Sequence, residues 1–368
     1  MTGRKLTCKS SRVQRTANSL IPQSRPDLRP ADFSYIREIL RSRQVAGGRF
    51  VAELEQMFQR CIKVRYAAST SSGTAALHLG LLALGVGSGH EVMVPSYTCA
   101  AVLQAIQHAG ARPRLLDIDE GSMNVTGPIV RRHLTKRTKA IIVTHTFGFP
   151  APVDELLAVG IPVIEDCALA LGSTHDGRPV GSMGKLSVFS MYATKVICAG
   201  EGGMVCANDG GIIRAVRDLN RPDRREDWRC RYNYKLSDLA AGLALEQIRR
   251  LPSLIARRRA IAVRYIEAFK DCGVEFQQPV PKGEPNYYRF VVRTSRAASV
   301  IARAHQAGIW CDRPVFRPMH RYFDPAARGH FPATEAVFRS TVSIPIYPAL
   351  SDQEVDRITR HMRRILTS

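Results

Sequence analysis

The sequence predicts an α/β protein of two lobes, the larger one built on a mainly parallel sheet, and three observations carry that expectation. At 368 residues the chain exceeds the roughly 250 to 300 residues at which a single core stops growing. Between residues 64 and 164, short apolar runs alternate with segments of helical spacing. These runs are apolar throughout rather than at every second position, the pattern of strands covered on both faces.

In order, residues 1–20 are expected to form a disordered basic leader without the apolar centre of a secretory signal. Residues 21–250 are assigned to the large lobe with an N-terminal arm, and 251–368 to a smaller α/β lobe. Ile21 to Asp27 is extended and punctuated by proline, Pro30 to Arg43 is helical, and Phe50 to Cys61 repeats apolar residues at helical spacing. A strand at Val64 to Ala68 leads through Ser69 to Thr74 into the helical AALHLGLLALG. Strands follow at Glu91 to Val94, Pro113 to Ile118, Ala140 to Thr144 and Ile161 to Ile164. Helices lie between them at Cys99 to His108, Pro128 to Leu134 and Val153 to Val159. Leu186 to Met191 and Met204 to Ala207 are apolar strands around a glycine-rich loop. Beyond them come a helix at Gly211 to Leu219, an arginine-rich loop at Asn220 to Arg231 and a helix from Ser237. A long amphipathic helix, Arg257 to Phe269, links the lobes. The last segments are a strand at Tyr287 to Arg293 and helices at Ala297 to Ala307 and Asp352 to Ile365.

Composition narrows the function classes. No run approaches the roughly 20 apolar residues that cross a bilayer, so the chain is expected to be cytoplasmic and not membrane-bound. Nine cysteines occur without a CxxC pair, which gives no zinc or redox motif and leaves them reduced. The net charge of +21 raises nucleic acid as a partner. Its arginines are spread along the chain without a zinc-finger or aromatic RNA-binding signature, so no nucleic acid is expected. A solvated basic face is the first account of the charge, and a polyphosphate-bearing substrate the second.

Lys195 lies between an apolar strand and the cluster Gly200, Gly202 and Gly203. Most lysines at strand ends point into water, but near low-dielectric walls an amine becomes a nucleophile for carbonyl carbon. Asp166 ends another strand, at the edge where open α/β sheets bind ligands. Ser72, Gly73 and Thr74 open a helix whose unpaired N–H groups suit a phosphate, although SSGT alone is an ordinary cap. With Ser190, these residues meet the needs of pyridoxal 5'-phosphate: an amine for the aldehyde, a carboxylate for the ring nitrogen, and donors for the phosphate. Neither GxGxxG nor GxxxxGKS/T follows a strand, which removes the dinucleotide and ATP readings.

The stretches IPQSRPDL, SSGTAALHL, EVMVPSYT, IIVTHTFGFP, PVIEDCALALG, GRPVGSMG, VFSMYATK with GEGG, RYNYKLSDL and FPATEAVFRSTVSIPIYPALSDQEVDRI also stand here in order. In these the chain resembles the DegT/DnrJ/EryC1/StrS (sugar) aminotransferase family, from Ile21 to the C-terminus. The resemblance implies the type I aspartate aminotransferase fold, with Lys195 holding the cofactor aldehyde, Asp166 at the pyridine nitrogen, and Gly73, Thr74 and Ser190 at the phosphate. It also implies a homodimer in which Asn233 reaches the phosphate bound to the neighbouring subunit. Two positions depart from the family pattern: Leu169 replaces a glutamine that contacts the ring oxygen, and Cys99 replaces an aromatic that stacks on the ring.

As the resemblance implies, the amine would pass from L-glutamate to a keto group of a nucleotide-activated sugar, in cell-surface polysaccharide or secondary-metabolite biosynthesis. His145 and Tyr192 fall within matching motifs and could line the substrate site, as could His320 from the small lobe. A packed histidine and a core tyrosine are equally ordinary accounts of the first two. The alternatives are an aminotransferase acting on a cyclitol ketone, and a non-catalytic cofactor-bound regulator or assembly partner.

Overall fold

A computed structural model describes residues 20–323 and 329–368; the leader expected over 1–20 falls almost wholly outside them. The first part of the chain supplies β1 (Tyr66–Thr70), β2 (Glu91–Pro95), β3 (Arg112–Leu116), β4 (Thr138–Thr144), β5 (Val163–Asp166), β6 (Thr174–His175), β7 (Arg178–Pro179), β8 (Leu186–Ser190) and β9 (Gly203–Ala207). Seven of these strands form one sheet in the order β1-β9-β8-β5-β4-β2-β3. All run parallel except β9, which is antiparallel to both its neighbours, β1 and β8. The hairpin of β6 and β7 turns at Asp176 and Gly177, both at positive φ (50° and 70°), the backbone that an Asp-Gly pair adopts readily.

The helices cover both faces. In Gly73–Ala83, residues Ala75 to Leu81 are all buried, because one side packs on the sheet and the other on neighbouring helices. Arg49–Ile62 instead buries a single stripe, Phe50, Leu54, Phe58 and Ile62, at helical spacing. Phe58 meets Phe189 edge to face at 5.4 Å. Burying such a ring contributes about 2 to 3 kcal/mol and fixes the end of β8 from which the lysine loop departs.

The later part of the chain adds β10 (Glu275–Phe276), β11 (Gly283–Glu284), β12 (Phe290–Arg293) and β13 (Thr341–Ile344). β10, β12 and β13 form an antiparallel sheet, and β11 pairs with β6. A second core of Tyr265, Phe269, Phe290, Val292, Ile344 and Ile358 gathers there, joined by Ile21 from the N-terminal arm. The long helix Leu251–Phe269 carries Arg258 inward, where Nη1 donates to the carbonyls of Tyr287, Tyr288 and Ile346 at 3.3, 3.1 and 3.0 Å. Burial lowers its pKa to about 10. No helix among the described residues is long and apolar enough to cross a membrane, and every cysteine among them is free.

Candidate active site

Successive side chains of a strand point to opposite faces, so the Glu165-Asp166 pair at the end of β5 divides. Glu165 turns inward and is fully buried. Its Oε1 accepts from the N–H groups of Met183 and Gly184 at 2.8 and 2.6 Å. Its Oε2 accepts from Gly181 N–H at 2.9 Å and from His145 Nε2 at 3.2 Å. His145 Nδ1 accepts from Ala151 N–H at 3.0 Å, which places the ring proton on Nε2 and commits both nitrogens. Burial alone would raise the Glu165 pKa, but His145 and the N–H groups of Gly184 and Gly181 outweigh it and hold the carboxyl below its ordinary value.

A depressed carboxyl pKa contributes stability that is complete above the unfolded value and is lost as pH falls through the folded one. Glu165→Gln is therefore expected to cost about 2 to 4 kcal/mol near neutral pH. Urea midpoints measured across pH should show the gap between variant and wild type closing below about pH 4. His145, Glu165 and Cys167 bring ligand atoms within 4.8 Å of one another, but the histidine nitrogens and carboxylate oxygens are already occupied.

Asp166 faces the other way, into a cavity. Its Oδ1 accepts from Ala168 N–H at 3.0 Å. Burial pushes its pKa up, against that N–H and the charge of Lys195. Lys195 enters from the loop after β8, which is closed by Met191 N–H to Gly202 O and Ala199 N–H to Met191 O, both at 2.8 Å. Its side chain is half-buried, and Nζ lies 5.6 Å from the centre of the Tyr288 ring.

Lys195 and Asp166 line a cavity of about 250 Å³ together with Ser72, Gly73, Thr74 and Ser190. Ser72 caps the helix Gly73–Ala83, its hydroxyl accepting from Ala75 N–H at 3.1 Å. That leaves the N–H groups of Gly73 and Thr74 without an acceptor among the described residues, a helix start ready for an anion. A Cβ at Gly73 would stand 2.9 Å from Ser190 Cβ, so helix start and strand end approach only because residue 73 has no side chain. Gly203 serves the same junction, since a Cβ there would reach 2.1 Å from the Ser72 carbonyl oxygen. Gly203 of the GEGG cluster therefore makes room for the cradle.

An adjoining cavity of about 450 Å³ shares Lys195, Asp166, Cys99 and Tyr192 and adds His145, Leu169, Tyr288 and Arg289. His145 can offer it only a ring face. Leu169 presents no hydrogen-bonding side chain, and the exposed Cys99 thiol sits at the N-cap of Ala100–His108. Lys195, Asp166, Ser72, Gly73, Thr74, Ser190, Cys99, Leu169, His145 and Tyr192 thus come together around two joined cavities.

Two expected residues do not join them. His320 is buried at 1% exposure, with Nδ1 2.7 Å from Ser96 Oγ, Nε2 2.9 Å from Glu335 Oε1, and its ring stacked on Phe331 at 4.5 Å. Both its ring nitrogens are taken up, between Ser96 and Glu335, and it lines neither cavity; Phe316, Arg317 and Tyr322 line the larger one. Asn233 is exposed and lines neither cavity of its own chain. Sequence reasoning missed Tyr288 and Arg289. The Tyr288 hydroxyl is 3.4 Å from Thr194 Oγ1; burial raises its pKa, but Lys195, Arg289, Thr194 and Arg258 together bring it below the ordinary tyrosine value. The only local signal was a tyrosine pair opening a predicted strand, remote in sequence from the lysine.

Comparison with known proteins agrees with this geometry. The model of the DegT/DnrJ/EryC1/StrS aminotransferase family matches residues 26–363. Among solved structures, the aminotransferase TlmJ from Streptoalloteichus hindustanus is similar at 30% identity and a TM-score of 0.87, covering 94% of this chain and 99% of that one. The PLP form of the putative sugar aminotransferase Spr1654 from Streptococcus pneumoniae is 27% identical, with a TM-score of 0.88 over 94% of this chain and 98% of that one. DesV from S. venezuelae is 27% identical, with a TM-score of 0.86 over 92% and 94%.

Proposed function

We propose, for a chain that belongs to the DegT/DnrJ/EryC1/StrS aminotransferase family, that it moves an amino group from L-glutamate to a keto group of a nucleotide-activated sugar. The protein is a pyridoxal-phosphate-dependent aminotransferase, and the choice of donor and acceptor is our reading. The observation that carries the reading is one cavity shared by the Lys195 amine, the Asp166 carboxyl and a helix start with two unclaimed N–H groups. These residues fit the cofactor: the Gly73 and Ser190 junction is a cradle that a Cβ would fill, and only one Asp166 oxygen, Oδ1, has a donor among the described residues, which leaves Oδ2 for a ring N–H.

When bound, pyridoxal phosphate supplies an aldehyde carbon for the amino group in transit and a protonated ring that withdraws electrons from the donor's α-carbon. In this reading Lys195 would hold that aldehyde, and its amine would be the base for the α-proton. Asp166 keeps the ring nitrogen protonated. Ser72, Gly73, Thr74 and Ser190 fix the phosphate through hydroxyl and backbone donors. His145 and Tyr192 shape the wall, and Leu169 leaves the ring oxygen without a hydrogen bond from that position.

A homodimer and a cytoplasmic location complete the proposal. Support for two chains comes from the exposure of Asn233 and of Trp228, 99% exposed within the loop after Leu219. The basic balance, +21, suits an acceptor bearing a diphosphate. The test is incubation of the cofactor-loaded protein with L-glutamate alone. We expect the visible absorbance of the lysine-bound cofactor to give way to the spectrum of its amine form, with 2-oxoglutarate released in equal amount. An unchanged spectrum would remove glutamate as donor, and a spectrum inert to a panel of amino acids would favour a non-catalytic cofactor protein.

A further inference from the structure

Arg289 stands just before β12, half-buried, where the 450 Å³ cavity meets a further one of about 430 Å³ that contains Gln23, Ser24 and Trp310. Other arginines of this region have acid partners: Arg293 pairs with Glu120 at 2.8 Å, and Arg321 with Glu335. Arg289 has none among the described residues. It is nevertheless held in place. Its Nη1 donates to Ser343 Oγ at 3.3 Å. The Gln23 amide satisfies all its neighbours in one orientation, accepting from Arg289 Nη1 at 3.2 Å and Ser343 Oγ at 2.7 Å while donating to Trp310 O at 2.6 Å.

Those contacts use one nitrogen of the guanidinium, and Nε and Nη2 have no protein acceptor among the described residues. Arg289 Cζ lies 5.8 Å from the centre of the Tyr288 ring, the same ring that Lys195 Nζ approaches at 5.6 Å. A partly desolvated cation without a carboxylate is costly unless an anion completes it, and the planar fork suits paired oxygens. The cavity wall thus holds an oriented, incomplete anion site beside the reactive amine.

We propose that Arg289 anchors the oxyanion of the reactant that approaches Lys195, taking a pair of carboxylate or phosphate oxygens on its free edge. This rests on the aminotransferase reading. The same chemistry has two sources, the carboxylate of the amino donor and the phosphate of the acceptor.

The experiment compares wild type, Arg289→Gln and Arg289→Lys as cofactor-loaded protein. Titration calorimetry with glutarate reports the donor arm, and with uridine diphosphate the acceptor arm. Arg289→Gln is expected to weaken one probe by roughly 10- to 100-fold, with Arg289→Lys recovering part of the loss, because lysine keeps the charge but not the fork. Weakened glutarate assigns the anchor to the donor, and weakened uridine diphosphate assigns it to the acceptor. Both affinities unchanged within about twofold, or neither probe binding wild type, overturns the proposal. If Arg289→Gln loses the cofactor absorbance, Ser343→Ala replaces it: freeing Nη1 should weaken the same probe several-fold, and no effect counts against the anchor. Failure of the glutamate reading is separable, since wild type would then not respond to glutamate even if Arg289→Gln weakened uridine diphosphate.

Discussion

Lys195→Ala is expected to lower turnover by about 10⁴-fold or more, equivalent to about 5.5 kcal/mol of barrier, while leaving the fold intact. The reason lies in the site: among its lining residues only Lys195 offers an amine to the space between Asp166 and the Ser72 to Thr74 helix start. In the proposed reading, alanine removes both the nucleophile for the aldehyde and the base for the proton. Stability should change little, because the half-buried amine forms no ion pair among the described residues and the loop is fixed by backbone bonds between Met191, Ala199 and Gly202. The check is borohydride reduction of the loaded protein followed by peptide mapping. Wild type should carry the reduced cofactor on Lys195 and the variant should carry none; label on another lysine would sink the assignment.

Asp166→Asn should lower kcat by roughly 10² to 10³-fold, a typical loss when one preorganised electrostatic partner is removed. Asparagine has nearly the same shape and can keep the hydrogen bond from Ala168 N–H, now 3.0 Å long. It cannot carry the negative charge that keeps a ring nitrogen protonated. Glutamate-driven loss of the visible band, followed in a stopped-flow instrument, should slow by that factor while the melting temperature stays within a few degrees. A half-reaction as fast as wild type would remove Asp166 from the chemistry.

Much of this was legible in the sequence because local pattern and site coincide. The apolar runs within β2, β4 and β5 mark strands covered on both faces, and those strands lie parallel in the sheet. Strand ends and one helix start then carry Asp166, Lys195 and Ser72 to Thr74, so the positions that bear the chemistry are also those that punctuate the pattern. The antiparallel direction of β9 left no trace, since an apolar run reads the same in either sense. Nor did the pattern of Thr341–Ile344, a short run mixed with hydroxyl residues, announce β13. The β6 and β7 hairpin did have a signal, the Asp176-Gly177 pair.

Tyr288 and Arg289 were illegible for a different reason. Their place at the cavity depends on the packing of the later sheet against the large one, set partly by Arg258 and its carbonyl partners. The partners of His320 were equally illegible, since Ser96 and Glu335, far apart in sequence, take up both its ring nitrogens.

The division of Glu165 from Asp166 makes β5 intolerant of a change in length. Deleting or inserting one residue ahead of this pair would exchange their directions, sending the longer acid to the cavity and the shorter one into the loop of Gly181 and Gly184, where it could not span the gap. A single-codon indel in Val163 or Ile164 should therefore damage folding and chemistry together, although neither residue touches a ligand.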